Sequence, residues 1–403
     1  MDLEALYRDL HAHPELSFQE HRTAGVVAEH LTALGLEVHT GIGRTGVAGV
    51  LRNGDGPTVL LRADMDGLPV LEETGLPWAS TATAPGDDGH PVPVMHACGH
   101  DIHITCLVGA VEQFATSTGD WAGTLVAVFQ PAEEHGGGAE VMVQDGLYAK
   151  VPSPDVVLGQ HVTPFPAGMV GAHAGAAMAA VDAFEVTLHG RGGHGSRPET
   201  TIDPVVMAAS AVMRLQTVVS REVAPQETAV VTVGTLHAGT KNNIIAPSAT
   251  LGISVRSFDE TVRARVLDGV DRILRAELQA SGSPHEPTMH WGERYPVTVN
   301  DAEATARVNA AFAAEFGQEA VLEPGALSGS EDVGNLATAA GVPLVYWLLG
   351  GGEPETVRAA IAAGTVETDI PSNHSPFFAP VAQPTIDVGV RALVVAAREW
   401  LGA

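Results

Sequence analysis

The sequence predicts an α/β protein, a mixed sheet covered by helices with a smaller two-layer α+β domain inserted into it. Three observations carry that prediction. Strand-like apolar runs alternate with helical patterns over the first part of the chain, the order changes to strand, helix, strand, strand, helix, strand from about Val181, and the alternation returns after Asp301. A chain of 403 residues with 45% hydrophobic content is long enough for two domains and a large buried core.

Taken in order, Leu3 to Leu10 and Thr23 to Leu34 carry apolar residues at helical spacing, with Gly35 placed to stop the second helix. Strands follow at Gly46–Leu51 and Thr58–Arg62, then a helix after Gly99 and strands at Thr124–Phe129 and Asp155–Leu158. The inserted unit reads as strand Ala183–His189, helix Pro204–Val219, strands Thr228–Leu236 and Ala249–Ser254, helix Val262–Ala280 and strand Thr288–Trp291. GAHAGAAM before it and ERYPVTVND after it read as linkers. The chain then returns to LVYWLLG at 344–350 and a final helix near 386–401. Residues 1–181 and 295–403 are therefore expected to form one discontinuous domain around an insertion at 182–294.

A formal charge of −27 argues against nucleic acid or an anionic membrane surface as partner, because both are polyanions. Lys150 and Lys241 are the only lysines, so arginine supplies nearly all the positive charge. Cys98 and Cys106 alone make no disulfide framework, and a reducing cytoplasm fits them. The opening MDLEALYRDLHAHPEL has no basic or apolar leader pattern, and no apolar run reaches membrane-spanning length. A cytoplasmic protein is expected.

Chemistry is concentrated in a few motifs. In Met95-His-Ala-Cys-Gly-His-Asp101, Cys98 and His100 sit two apart in a glycine turn before a helix, so thiolate and imidazole can face one metal ion. The bland alternative is a buried cysteine beside a helix-capping histidine. Asp101 either orients a ligand histidine or simply favours the first helical turn. In Phe129-Gln-Pro-Ala-Glu-Glu-His135, adjacent carboxylates after a strand point in different directions, which lets one bind metal while the other handles a proton. A solvated acidic loop is the competing reading, weakened by the preceding apolar strand and by Gly136-Gly-Gly138.

His161 closes the run DVVLGQH and His374 lies in Pro371-Ser-Asn-His-Ser-Pro376; each alone reads as structural. Asp64-Met-Asp66 closes another strand with both carboxylates on one side. Several strand ends thus offer ligand or acid–base groups, as at the carboxyl edge of an α/β sheet. Other motifs fail: His285 and His290 have the wrong spacing for a zinc helix, with Pro287 between them, and there is no nucleophile elbow, phosphate loop or dinucleotide fingerprint.

Seven ordered blocks, LHAHPELSFQE, RADMDGLP, MHACGHD, FQPAEE, GGHGSRP, SEDVGNL and NHSPFF, resemble those of the dinuclear metallo-aminoacylases and carboxypeptidases. The similar branch contains hippurate hydrolase, N-acyl-amino-acid amidohydrolases and indole-acetyl-amino-acid hydrolases. The resemblance implies Cys98, His100, Glu134, His161 and His374 as ligands of two divalent ions per subunit, zinc or manganese, with cobalt or nickel also suited, and Cys98 bridging. It makes Glu133 the general base, Asp66 the acid that orients the site, and Asp64 the replacement of a histidine ligand used in other branches. His194 would reach the scissile carbonyl from a partner subunit, and Asn243 and Arg256 would contact the substrate carboxylate or carbonyl. The inserted domain would act as lid and dimerisation domain of a homodimer. Ile102, Val333 and Glu199 stand where the family usually has other residues, the last two on the presumed substrate side.

The expected activity is hydrolysis of the amide bond of a small N-acyl amino acid by a metal-activated water. The alternatives are a deacetylase of the N-acetyl-diaminopimelate type, a dipeptidase or carboxypeptidase, and a metal-stabilised binding protein without catalysis; retention of Glu133 beside a full ligand set argues against the last.

Overall fold

A computed structural model describes residues 1–86 and 88–402. The chain divides into two compact units, the first made of Met1–Ala177, Val299–Ala326 and Asp332–Ala403, the second of Met178–Thr298 with Leu327–Glu331.

The first unit is built on a seven-stranded sheet in the order Glu37–Ile42, Gly46–Asn53, Gly123–Gln130, Thr58–Asp64, Val156–Pro166, Leu344–Gly352 and Val170–Gly171. Thr58–Asp64 runs parallel to both its neighbours, and Leu344–Gly352 runs parallel to Val156–Pro166. The outer strands pair antiparallel. Parallel strands covered on both faces read as continuous apolar runs, and every residue of Thr58–Asp64 after Thr58 is buried. Val59, Leu61 and Ala63 join the main core with Ile104, Leu107 and Val111 of the helix His100–Thr116 and Leu393 and Ala397 of the helix Ala382–Leu401. Alternation then sends Arg62 and Asp64 to the opposite face.

The edge strand Glu37–Ile42 has no counterpart in the sequence reading. It is mostly exposed and reads EVHTGI, so it lacks the apolar signature of its neighbours. The strand through His161 also runs further than the sequence indicates: His161 is not its last residue but pairs in register with Leu348, and the strand continues to Pro166.

The second unit is a four-stranded antiparallel sheet in the order Ala229–Ala238, Ser248–Ser257, Ala180–His189, Thr288–Tyr295. Helices Pro204–Glu222 and Glu260–Ala280 pack on it, each started by an aspartate, Asp203 and Asp259, that accepts first-turn N–H groups. Strict alternation in Ser248–Ser257 aims Ala249, Leu251, Ile253 and Val255 at Met207, Leu215, Val266 and Leu274. This is the two-layer α+β arrangement expected for the insertion. Both stretches read as linkers contain short strands, Gly175–Met178 and Thr298–Asn300. Among the described residues, no helix is long and apolar enough to cross a membrane.

Candidate active site

The first unit gathers Cys98, His100, Glu133, Glu134, His161 and His374 at one place. Cys98, His100 and His161 offer ligand atoms within 4.8 Å of one another, as do Cys98, Glu134 and His374, and His100, Glu133 and Glu134. Five candidate ligands therefore fall into two triads that share Cys98.

Each arrives by a local device. The turn before the helix His100–Thr116 pivots on Gly99 at φ 80°, a left-handed conformation, and a Cβ there would lie 2.3 Å from Val162 Cγ1. That turn presents Cys98 and His100 together. Beyond the strand Gly123–Gln130, Ala132 takes φ 49° and turns the chain so that Glu133 and Glu134 follow. His374, at φ 71° in its loop, is tied by its N–H to Ala97 O at 2.8 Å. Asn373 donates to Cys98 O at 3.3 Å and Val162 O at 3.1 Å, joining that loop to the cysteine turn and to the strand of His161.

The distances suit a cation. Cys98 Sγ lies 3.5 Å from His161 Nε2, and Glu134 Oε1 lies 3.4 Å from His374 Nε2 and 3.8 Å from His100 Nε2. Both ring nitrogens of His100 and the Oε1 of Glu134 are buried without a hydrogen-bond partner, which is costly unless another group satisfies them. Burial, together with the charges of Glu134 and Glu133, pushes the Cys98 thiol well up. Burial alone would lower His100, but Asp64, Asp66 and Glu134 outweigh it and raise its pKa to about 10. Burial holds His161 well below the usual histidine range. Divalent cations would satisfy the orphaned nitrogen and oxygen, balance the carboxylates and favour the thiolate; the donor set fits them.

Asp64 and Asp66 flank opposite nitrogens of one ring. Asp64 Oδ2 lies 3.7 Å from His100 Nε2, and Asp66 Oδ1 lies 3.3 Å from His100 Nδ1. Asp66 also accepts the N–H of Glu133 at 3.1 Å and of Glu134 at 3.0 Å, and the hydroxyl of Ser17 at 2.6 Å. It therefore sits behind the ring and the turn alike.

Residues 60–370 match the model of peptidase family M20/M25/M40. The chain belongs to that family. It is 40% identical to hippurate hydrolase of Campylobacter jejuni, over 79% of each chain, and 39% identical to N-acyl-L-amino acid amidohydrolase of Geobacillus stearothermophilus, over 75% of this chain and 79% of that one. Among solved structures it is similar to the Bacillus subtilis YXEP protein, a dinuclear metal-binding peptidase from the M20 family, with a TM-score of 0.76, 28% identity and coverage of 98% and 96%. Membership makes this chain a metal-dependent hydrolase of linear amide bonds.

Three of the residues singled out in the sequence of this M20 chain lie in the second unit. His194 and Ile244 pair across a short ribbon, and Gly195 N–H donates to Asn243 O at 2.8 Å, so His194 and Asn243 are neighbours. Nδ1 of His194 accepts from Ser196 N–H at 3.1 Å and lies 2.8 Å from its hydroxyl. A backbone N–H can only donate, so the proton of the neutral ring is on Nε2. Arg256, on the strand Ser248–Ser257, donates to Ser328 O at 2.5 Å and Ser330 Oγ at 3.4 Å within the same unit.

Sequence reasoning missed His103, Asn373 and the buried Arg62 network. Nη1 of Arg62 donates to Asp64 at 2.7 Å and its Nε to Gln130 at 2.9 Å, while Gln130 donates to Asp332 at 2.6 Å. His103 had a signal: it follows His100 by three positions, the spacing that puts two side chains on one helix face. Arg62 had half a signal: strand alternation puts it on the same face as Asp64 two positions on, but nothing local points to Gln130, which lies on another strand.

Proposed function

We propose that this M20 chain hydrolyses N-acyl amino acids to a carboxylic acid and a free amino acid, using two divalent ions held by Cys98, His100, Glu134, His161 and His374. One observation carries the reading: Cys98, His100, Glu134, His161 and His374 fall into two ligand triads that share Cys98, and Asp66 accepts the N–H groups of both Glu133 and Glu134, which fixes the two adjacent carboxylates beside those triads. Glu134 is assigned to coordination and Glu133 to proton transfer. The similarity to hippurate hydrolase and N-acyl-L-amino acid amidohydrolase supports the substrate class. Thiolate, imidazole and carboxylate together suit zinc, with manganese next and cobalt or nickel after them.

When bound, the ions polarise the amide carbonyl and acidify an attacking water. Glu133 takes a proton from that water as its oxygen adds to the carbonyl carbon, then delivers it to the leaving nitrogen as the C–N bond breaks. Asp66, behind His100 and the Glu133–Glu134 turn, holds base and ligand in register. His194 offers Nε2–H to the developing oxyanion, a role worth about 3–4 kcal/mol. Asn243 and Arg256 are assigned to the substrate's carboxylate or carbonyl.

We assign the assembly as a homodimer through the second unit. Supporting this, Ala229–Ala238 is an edge strand with Val230 and Leu236 exposed, and the helix Pro204–Glu222 exposes Val206 and Met213, at 64% and 74%. Cys98 and Cys106 are both free thiols, which suits a reducing cytoplasm.

The deciding experiment is a hydrolysis screen of metal-loaded protein against acetyl, benzoyl and indole-acetyl amino acids and dipeptides. Turnover of the acyl amino acids with release of free amino acid is expected. Turnover confined to dipeptides would overturn the substrate class, and none on any substrate would favour a binding protein.

A further inference from the structure

Glu20 lies outside the candidate ligand groups. It is fully buried, at the entrance to the helix His21–Ala33. One oxygen, Oε1, accepts the N–H of Phe18 at 2.9 Å and the N–H of Ala132 at 2.8 Å, and Oε2 accepts the hydroxyl of Thr45 at 2.5 Å. Its donors are all neutral. Burial and the nearby charge of Asp66 push its carboxyl up to about 7, so the group is held there against an appreciable penalty.

What it holds is the turn that carries the base. Ala132, Glu133 and Glu134 present three successive N–H groups, and two buried carboxylates accept all of them: Glu20 the first, Asp66 Oδ1 the second and Asp66 Oδ2 the third. Ala132 is a non-glycine residue at φ 49°, a left-handed conformation that is unfavourable for an L-residue and persists only where neighbours enforce it. Phe18, the other N–H on the same oxygen, is also left-handed, at φ 61°. A single carboxylate oxygen thus pins two strained backbones to each other.

We propose that Glu20 is a positioning residue for catalysis, fixing Ala132 so that the Glu133 carboxylate is aimed at the attacking water; this rests on the reading of Glu133 as the base. Its geometry needs an oxygen acceptor at Oε1 and the full side-chain length. Glutamine supplies both, with its amide NH2 towards a Thr45 hydroxyl that can rotate to accept. Alanine supplies neither, and aspartate is one methylene short of spanning Ala132 and Thr45.

The test uses the metal-loaded enzyme and the fastest substrate of the screen above. Glu20→Ala is expected to lose about 10- to 100-fold in kcat, the scale of a misplacement near 1 Å, with KM changed less than about two-fold and bound metal unchanged, whereas Glu20→Gln recovers to within about three-fold of wild type. In a Glu133→Asp background the further loss from Glu20→Ala should shrink below about three-fold, because the two residues act as one unit. Should Glu20→Ala fail to fold, Glu20→Asp is read instead, with the same loss in kcat expected. A folded Glu20→Ala or Glu20→Asp with wild-type kcat, fully additive losses, or a Gln variant as impaired as Ala would overturn the proposal. Failure of the parent reading shows separately, as turnover retained in Glu133→Gln.

Discussion

Nδ1 of His103 donates to Asp64 Oδ1 at 2.5 Å, and because Nε2 of the same ring accepts the N–H of Val162 at 2.8 Å, its tautomer is fixed. His103 lies between two proposed ligands, stacked 5.4 Å from His100 and edge-on 4.7 Å from His161 by ring centroids. Replacing it with phenylalanine keeps the packing but strands the N–H of Val162 and takes a donor from Asp64. His103→Phe should lose about 1–3 kcal/mol of stability and about 10- to 100-fold in metal affinity. Thermal unfolding and competition with a chelator measure the two losses, and unchanged metal affinity would confine His103 to packing.

Glu133 and Glu134 should separate cleanly. Glu133→Gln should lower kcat by at least about 10²-fold with metal content intact, while Glu134→Ala should lose metal and activity together. Cys98→Ser should also lower the metal content, since Cys98 is the atom common to both triads. Elemental analysis beside steady-state rates is the measurement; a Glu133 variant that sheds metal yet regains activity on reconstitution would reverse the two roles.

His11 gives the protein a pH-dependent buried contact with Glu72 and with Asp101, the residue that follows His100. Nδ1 lies 2.7 Å from Asp101 Oδ2 and Nε2 3.1 Å from Glu72 Oε1. Burial would lower its pKa, but the two carboxylates prevail and raise it to about 10 from 6.5. A histidine raised in the folded state stabilises fully below its unfolded pKa and loses that contribution as pH rises through the folded one. Wild type should therefore exceed His11→Leu by on the order of 3 kcal/mol near pH 6, with the gap narrowing towards pH 10. Denaturant unfolding across that range checks it; a gap that widens with pH would mean His11 is neutral in the fold.

Gly99→Ala should damage the cysteine turn in two separable ways. Left-handed φ costs about 1–2 kcal/mol, and the 2.3 Å approach to Val162 Cγ1 adds an overpacking penalty of about 1–3 kcal/mol. Adding Val162→Ala should restore the second part and not the first. Unfolding of the single and double variants decides it, and a double variant no more stable than Gly99→Ala would remove the clash from the account.

Assembly is tested by complementation. Mixing inactive His194→Ala with inactive Glu133→Ala and allowing subunit exchange should restore activity if His194 acts across a dimer, since one site then carries both lesions and the other none. Up to about a quarter of wild-type activity is the expectation for random exchange into two-fold dimers. Demonstrated exchange with no recovery would place His194 at its own chain's site or remove it from catalysis.

By itself the sequence determined the class of the fold, because apolar periodicity reports which face of a helix or strand is buried. The same physics hid the edge strand Glu37–Ile42, whose exposed residues carry no such period. Cys98, His100, Glu133 and Glu134 were legible as candidates because their partners are adjacent in the chain. His161 and His374 were not, except through family resemblance, since a lone histidine has no local signature. Only the tertiary structure decided what surrounds them: Arg62 meeting Gln130 on the neighbouring strand, Asn373 joining three segments, and Glu20 reaching a turn that starts more than a hundred residues further along the chain. These are buried polar contacts between distant segments. Their energies depend on which donor meets which acceptor, and no pattern of hydrophobicity encodes that.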